Sequence, residues 1–315
     1  MRLVVDRPEG GAVAQCPTGL ADRRDTAATY HLRMDQVVGT RDPDAEYRVR
    51  AQYNIVEHGR SDASAIVFAH GFGCDQNMWR YVWPAFAASH RVVLFDHLGF
   101  GQSDAAAHDS DRHADLYGYA DDVIDICQAL GLREVVFVGH SVSAMIGLLA
   151  SQRDRERFSR LVLICPSPSF IDDGDYVGGF SRSDIVELLE SLDSNVLGWS
   201  ANMAPVIMGN PDRPELAEEL AASICRADPT IARQFARTTF LSDHRTDLAQ
   251  ATTASLILQC SDDALAPVSV GRYVHHHLPG STLVVLDADG HCPNLSEPTA
   301  TVAAIERFLE IPRGR

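Results

Sequence analysis

The chain has 315 residues, 45% of them hydrophobic, with 43 acidic residues against 27 basic ones and a formal charge of -16. This length fits one large domain or two small ones with a sizeable core. The acidic balance excludes a protein that grips nucleic acid through clustered cations, the more so because there is no Lys and every base is Arg. The 7 cysteines are scattered and form no CxxC pair, which implies free thiols and a cytoplasmic setting rather than a disulfide framework or a zinc site. No apolar run reaches the roughly 18 residues that span a bilayer. The opening MRLVVDRPEGG has too short an apolar stretch for a secretory signal, so a soluble protein that is not exported is expected.

Residues 1–46 are rich in Arg, Asp, Gly, Pro and Thr without sustained periodicity and read as an extension, partly disordered. From Tyr47 the segment YRVRAQYNIV alternates like a strand, and AIVFAHG (65–71) is a short apolar run closed by glycine. An alternation of strand and helix follows: RVVLFD (91–96), a helix over about 117–130, EVVFVG (134–139), a helix from Val142, and RLVLIC (160–165). Buried strands alternating with helices predict a mostly parallel sheet covered on both faces. Between 169 and 249 the pattern turns helical, with SDIVELLESL and RPELAEELAASIC broken by GNPDRP and ADPT. Strands resume at SLILQC (255–260) and STLVVLD (281–287), so the helical stretch is an insertion within one α/β domain. The core is then 47–168 with 250–315, and the cap is 169–249.

The sharpest chemical signal is VVFVGHSVSAMIGLLAS, where a strand runs through Gly139-His140-Ser141-Val142-Ser143 directly into a helix. A nucleophile elbow requires this context, with small residues two positions to either side of the serine. Gly139 meets that requirement, and Ser143 stands where glycine is usual. A serine hydroxyl needs a base that is itself oriented by a carboxylate. In the chain order Ser, acid, His, the segment LILQCSDDALAP offers Asp262 and Asp263 just past a strand end, and LDADGHCPNLSEP offers His291 after the next strand. Both suit groups that converge at the top of a parallel sheet.

The tetrahedral oxyanion needs two preorganised donors, each worth roughly 3–4 kcal/mol. The N–H of Val142 is one by construction, and AHGFGCDQ supplies the other through Phe72. Cys292, beside His291, lacks an elbow or helix N-terminus of its own and reads as structural. The run His275-His276-His277 reads as a solvated helix end, because a helix sends consecutive residues to different faces.

The segments HGFGCDQNMW, FDHLGFGQSD, FVGHSVSAMIG, NPDRPELAEEL, DPTIARQFARTTFLSDHR, LILQCSDDALAP and GHCPNLS together resemble the RsbQ-type α/β-hydrolases. These include the bacterial regulator of the sigma-B energy-stress response and are similar to the plant strigolactone and karrikin receptors. The likeness runs from about Tyr47 to the C-terminus, and the segment before it has no counterpart.

The resemblance implies an α/β-hydrolase core, a helical lid over a narrow apolar pocket, and a triad of Ser141, Asp263 and His291, the second Asp of the pair matching the family's acid. Phe72 and Val142 match its oxyanion positions. His140, Phe170, Phe180, Trp199 and Phe240 are the candidate pocket residues, while Tyr176, Met203 and Phe235 belong to pocket or core. The expected chemistry is hydrolysis of a small, largely apolar ester or lactone, with no cofactor, no metal, and neither nucleic acid nor membrane as partner. The rival is a signalling hydrolase that binds or slowly cleaves a small molecule and engages a protein partner. The same triad also serves C–C hydrolases and perhydrolases; halide displacement is disfavoured because it needs a carboxylate at the elbow.

Overall fold

The structure is a computed structural model and describes residues 43–310. Most of the expected extension, residues 1–42, therefore lies outside the described residues.

The first element corrects an expectation. The segment read as a strand from Tyr47 is mostly helix α1 (Pro43–Gln52), and the strand β1 is confined to Val56–Gly59. The alternation is carried by Arg, Ala and Gln, which are good helix formers. Asp44 and Glu46 sit in the first turn and Arg50 in the last, favourable against the helix dipole, and Glu46 pairs with Arg50 at 2.8 Å one turn on. Glu57 on β1 bonds both Arg50 and Arg91, tying this helix to the sheet edge.

Among the described residues seven strands form one sheet in the order β1-β3-β2-β4-β5-β6-β7, with β2 (Ala65–Ala69), β3 (Arg91–Phe95), β4 (Val135–His140), β5 (Phe158–Ile164), β6 (Ser255–Asp262) and β7 (Ser281–Asp289). Only β1 runs antiparallel to its neighbour. All five residues of β2 and all six of β4 are buried, as strands covered on both faces must be.

The strand period of two divides the core cleanly. Val67, Val93 and Phe137 face one layer with α2 (Leu116–Ala129) and α3 (Val142–Arg153); Phe68, Val92 and Val138 face the other, with Trp79, Phe86 and the C-terminal helix Pro298–Glu310.

Between β5 and β6 stand four helices, α4 (Arg182–Ser194), α5 (Val196–Met208), α6 (Pro214–Arg226) and α7 (Pro229–Phe240). Their ends follow the breaker signals. Gly209 closes α5 in the left-handed conformation (φ 60°), and the Asp228 carboxylate caps α7 through the N–H groups of Thr230 and Ile231.

The parallel topology brings the C-terminal ends of β2, β4, β6 and β7 to one edge of the sheet. These ends lead into Phe72, Ser141, Asp263 and His291. Among the described residues no helix is long and apolar enough to cross a membrane.

Candidate active site

Ser141 occupies the turn between β4 and α3 with φ 56° and ψ -122°, a left-handed conformation that a non-glycine residue adopts at a cost of about 1–3 kcal/mol. Its neighbours hold it there. Its N–H donates to Ile164 O at 2.8 Å, and its carbonyl accepts from Ala144 N–H at 2.9 Å. A Cβ on Gly139 would stand 2.3 Å from the Ser143 carbonyl, so the tight turn requires glycine at that position.

The Ser141 hydroxyl lies 2.8 Å from His291 Nε2, and His291 Nδ1 lies 2.7 Å from Asp263 Oδ2; all three side chains are buried. The other carboxylate oxygen of Asp263 accepts the N–H groups of Leu265 at 2.9 Å and Ala266 at 3.0 Å. One oxygen thus builds a turn after β6 while the other holds the imidazole, so the residue is both turn former and histidine partner. Burial by itself raises the Asp263 pKa. The facing His291 and the two backbone donors outweigh it and hold the carboxyl below its ordinary value. Asp262 is exposed and meets the site only through its backbone carbonyl, which accepts Gly290 N–H at 2.6 Å.

The His291 main chain is fixed at both ends. Its N–H donates to Ile207 O in the last turn of α5 at 2.7 Å, and its carbonyl faces His140 Nε2 at 2.7 Å. Burial pushes the His140 pKa down to about 3, so its ring is neutral and Nε2–H is the donor. A Cβ on Gly290 (φ 83°) would fall 1.9 Å from Met208 O, which shows how tightly the end of α5 rests on this loop.

Phe72 follows β2 and Val142 follows the serine; neither backbone N–H has a protein acceptor among the described residues. Phe72 lines a cavity of about 20 Å³ together with His140, Ser141, Phe170, Thr239, Phe240, His291 and several aliphatic side chains. Such a volume holds little more than one water.

Two expected lining residues stand outside that wall. Trp199 lies behind it, its ring edge-on to Phe72 at 6.1 Å, and Phe180 is tied by its backbone to Phe170 O at 3.1 Å. Both fail as lining because aromatic spacing along a helix or loop does not reveal which ring stands in front. Tyr176 donates to Ser169 O, Phe235 packs in the core under Tyr119, and Met203 packs at the cap's edge.

A model of the alpha/beta hydrolase family matches residues 66–305. The chain belongs to this family. It is 38% identical to a probable esterase of Oryza sativa subsp. japonica over 83% of this chain and 97% of that protein. It is 35% identical to Karrikin insensitive 2 receptor IA of Petunia hybrida, over 79% of this chain and 91% of the relative. Among solved structures, a hydrolase from Oleispira antarctica superposes with a TM-score of 0.82 at 40% identity, covering 85% of this chain and 98% of the other.

Within this α/β-hydrolase, the sequence reading missed a buried network behind the elbow. Ser143, which replaces the usual small glycine, donates its hydroxyl to His70 O at 2.5 Å and accepts from His97 Nε2 at 2.8 Å. His97 N–H donates in turn to His70 Nε2 at 3.0 Å, and His70 Nδ1 donates to Gly71 O at 2.9 Å. Burial lowers the pKa of both imidazoles, keeping them neutral for this pattern. The departure at Ser143 was the available signal: a hydroxyl two residues past the turn at Ser141 needs partners if buried.

Cys165, Asp263 and His291 are the one group of potential metal ligands found among the described residues, their ligand atoms within 4.8 Å of one another. Asp263 and His291 already bond each other, and burial drives the Cys165 thiol well above its usual pKa, so a cation there displaces two protons and the dyad bond. Cys292 is likewise buried with its pKa pushed up, the state of an inert thiol.

Proposed function

We propose that the protein is a serine hydrolase that cleaves a small, largely apolar ester or lactone. The observation that carries this reading is the continuous hydrogen-bonded chain from the Ser141 hydroxyl through His291 to Asp263, at the floor of an apolar cavity. His291 Nε2 takes the hydroxyl proton as Ser141 Oγ adds to the carbonyl carbon, and Asp263 stabilises the imidazolium that forms. The N–H groups of Phe72 and Val142 receive the oxyanion. Collapse expels the alkoxide with the proton from His291, and water activated by the same imidazole releases the acid.

In this reading residues 47–168 and 250–315 make up the core and 169–249 the cap, residues 311–315 lying outside the described residues. The six cysteines among the described residues are all free, which supports a reducing, cytoplasmic setting. Because the cavity is so small, a substrate enters only when cap side chains or helices move aside.

Mass spectrometry of the intact protein during turnover of p-nitrophenyl acetate and butyrate tests the reading. An acyl adduct in the wild type that is absent from Ser141→Ala supports it; equal rates in both proteins and no adduct overturn it.

A second reading, an RsbQ-like signalling hydrolase, draws on the relative named as a receptor. It also draws on an open groove of about 540 Å³ on the outside of the cap, lined by Ala201, Pro205, Met208, Ala217 and Ala221, near the exposed Leu197 and Val206. This reading seats a protein partner over the groove, whose rim carries the polar Asn210 and Glu218 beside the small apolar residues. Slow single-turnover cleavage favours this reading; rapid cycling favours the metabolic esterase.

A further inference from the structure

Helix α7 turns six residues inward: Ile231, Ala232, Phe235, Ala236, Thr239 and Phe240. Five are apolar, and the sixth, Thr239, is 2% exposed and lines the cavity above Ser141. Its Oγ1 has no hydrogen-bond partner, although the hydroxyl of the preceding Thr238 reaches His113 O. A buried hydroxyl without a partner is uncommon and costs stability relative to valine, which has the same shape. Of the buried unpartnered polar atoms among the described residues, only Thr239 Oγ1 and His140 Nδ1 belong to the cavity wall. His140 Nδ1 is turned against Gly71, where a Cβ would come within 2.5 Å of it. Thr239 Oγ1 is thus the one unpartnered hydroxyl, among the described residues, that belongs to a residue of the cavity wall.

We propose that Thr239 is a specificity-determining residue whose hydroxyl bonds an oxygen of the substrate, so that the favoured substrate is a small ester or lactone with a second oxygen function remote from the scissile carbonyl. The inference rests on the serine-hydrolase reading above. A hydroxyl both donates and accepts, so a ketone, ether or alcohol oxygen satisfies it. A purely hydrocarbon chain leaves it unpaired, and that difference is the source of selectivity.

The test compares kcat/KM for matched esters in wild type, Thr239→Val and Thr239→Ser. On the acyl side the pairs are p-nitrophenyl 4-oxopentanoate with pentanoate and 3-methoxypropanoate with pentanoate; on the alcohol side the pair is 2-methoxyethyl acetate with butyl acetate. Intrinsic reactivity cancels when each ratio is compared between proteins.

Thr239→Val lowers the preference for the oxygenated member of at least one pair by roughly 3- to 10-fold, the worth of one neutral hydrogen bond. Thr239→Ser keeps that preference, and Thr239→Val melts no lower than wild type because no protein bond is lost. Ratios equal within about 2-fold for every pair, or a clear drop in melting temperature for the valine variant, overturn the proposal. Ser141→Ala, run on the same panel, separates the two ideas: undiminished rates there sink the serine-hydrolase reading, whereas an inactive Ser141→Ala with unchanged ratios in Thr239→Val sinks only the role of Thr239.

Discussion

The backbone N–H of His291 donates to the carbonyl of Ile207 at 2.7 Å, so the proposed general base hangs from the last turn of a cap helix. That carbonyl is one of the four a helix leaves unpaired at its C-terminus. Asn210 strengthens the joint by donating to Asp289 O at 3.0 Å. Any displacement of α5 that lets substrate in is therefore felt at the imidazole.

Gly290→Ala tests this joint. The added Cβ falls 1.9 Å from Met208 O, and the residue's φ of 83° is strained for alanine. The loop must lift away from α5, moving His291 off the Ser141 hydroxyl. We expect kcat for p-nitrophenyl acetate to fall on the order of 100-fold, as for a misplacement of about 1 Å, and stability to fall by about 1–3 kcal/mol. Wild-type kcat in this variant, measured well below its melting temperature, removes the coupling.

Asp263→Asn keeps the shape of the side chain but presents an amide to His291 in place of a carboxylate, so the imidazole loses the partner for its Nδ1 proton in one orientation of the amide. A loss of kcat on the order of 10⁴-fold is expected, by the precedent of the serine-protease triad. Asp262→Asn, whose side chain is exposed, leaves kcat within about 2-fold. Steady-state kinetics on the two variants decides between the adjacent carboxylates.

Most of the sheet was legible because a strand buried on both faces leaves a continuous apolar run, as in AIVFA and VVFVGH. The elbow was legible because its steric demand is local: Gly139 and Ser141 are two residues apart. What escaped notice depends on contacts between distant segments. The Tyr47 region alternates in sequence, yet its Arg, Ala and Gln residues, with favourable charges in the helix's end turns, fold as a helix. Trp199 and Phe180 were expected at the pocket and lie outside it, whereas Thr239, a polar residue with no motif around it, lines it. Neither Ile207 nor the His70–His97–Ser143 network carries a pattern that spacing alone could expose.

Ser143→Gly makes the sequence a more regular elbow and, by our account, a worse protein. It deprives the His70 carbonyl and His97 Nε2 of their shared partner inside the core. A loss of about 1–3 kcal/mol is expected in chemical denaturation, part of it from the greater backbone freedom of glycine. Ser143→Ala, which removes the hydroxyl alone, should account for most of that loss. A variant as stable as wild type shows that the network contributes nothing net.

The buried imidazoles set how stability responds to acid. His140 binds a proton at its ordinary pKa near 6.5 when the chain is unfolded, but only near pH 3 in the folded protein. Between those values the unfolded state carries the extra proton, so stability falls as pH drops from about 6.5 toward 3 and is unaffected by this group above about 7.5. His70 and His97, also shifted down by burial, add to the same slope. Asp263, with its pKa below the ordinary carboxylate value, stabilises the fold above about pH 4 and loses that contribution as pH falls through its folded value. His140→Gln can keep an N–H near His291 O while removing one titrating group. The slope of unfolding free energy between pH 4 and 6 should then shrink by about 1.4 kcal/mol per pH unit, one proton's worth. Urea denaturation at several pH values reads that slope directly, and an unchanged slope means that His140 is protonated in the folded protein and cannot be the neutral donor that holds the His291 carbonyl.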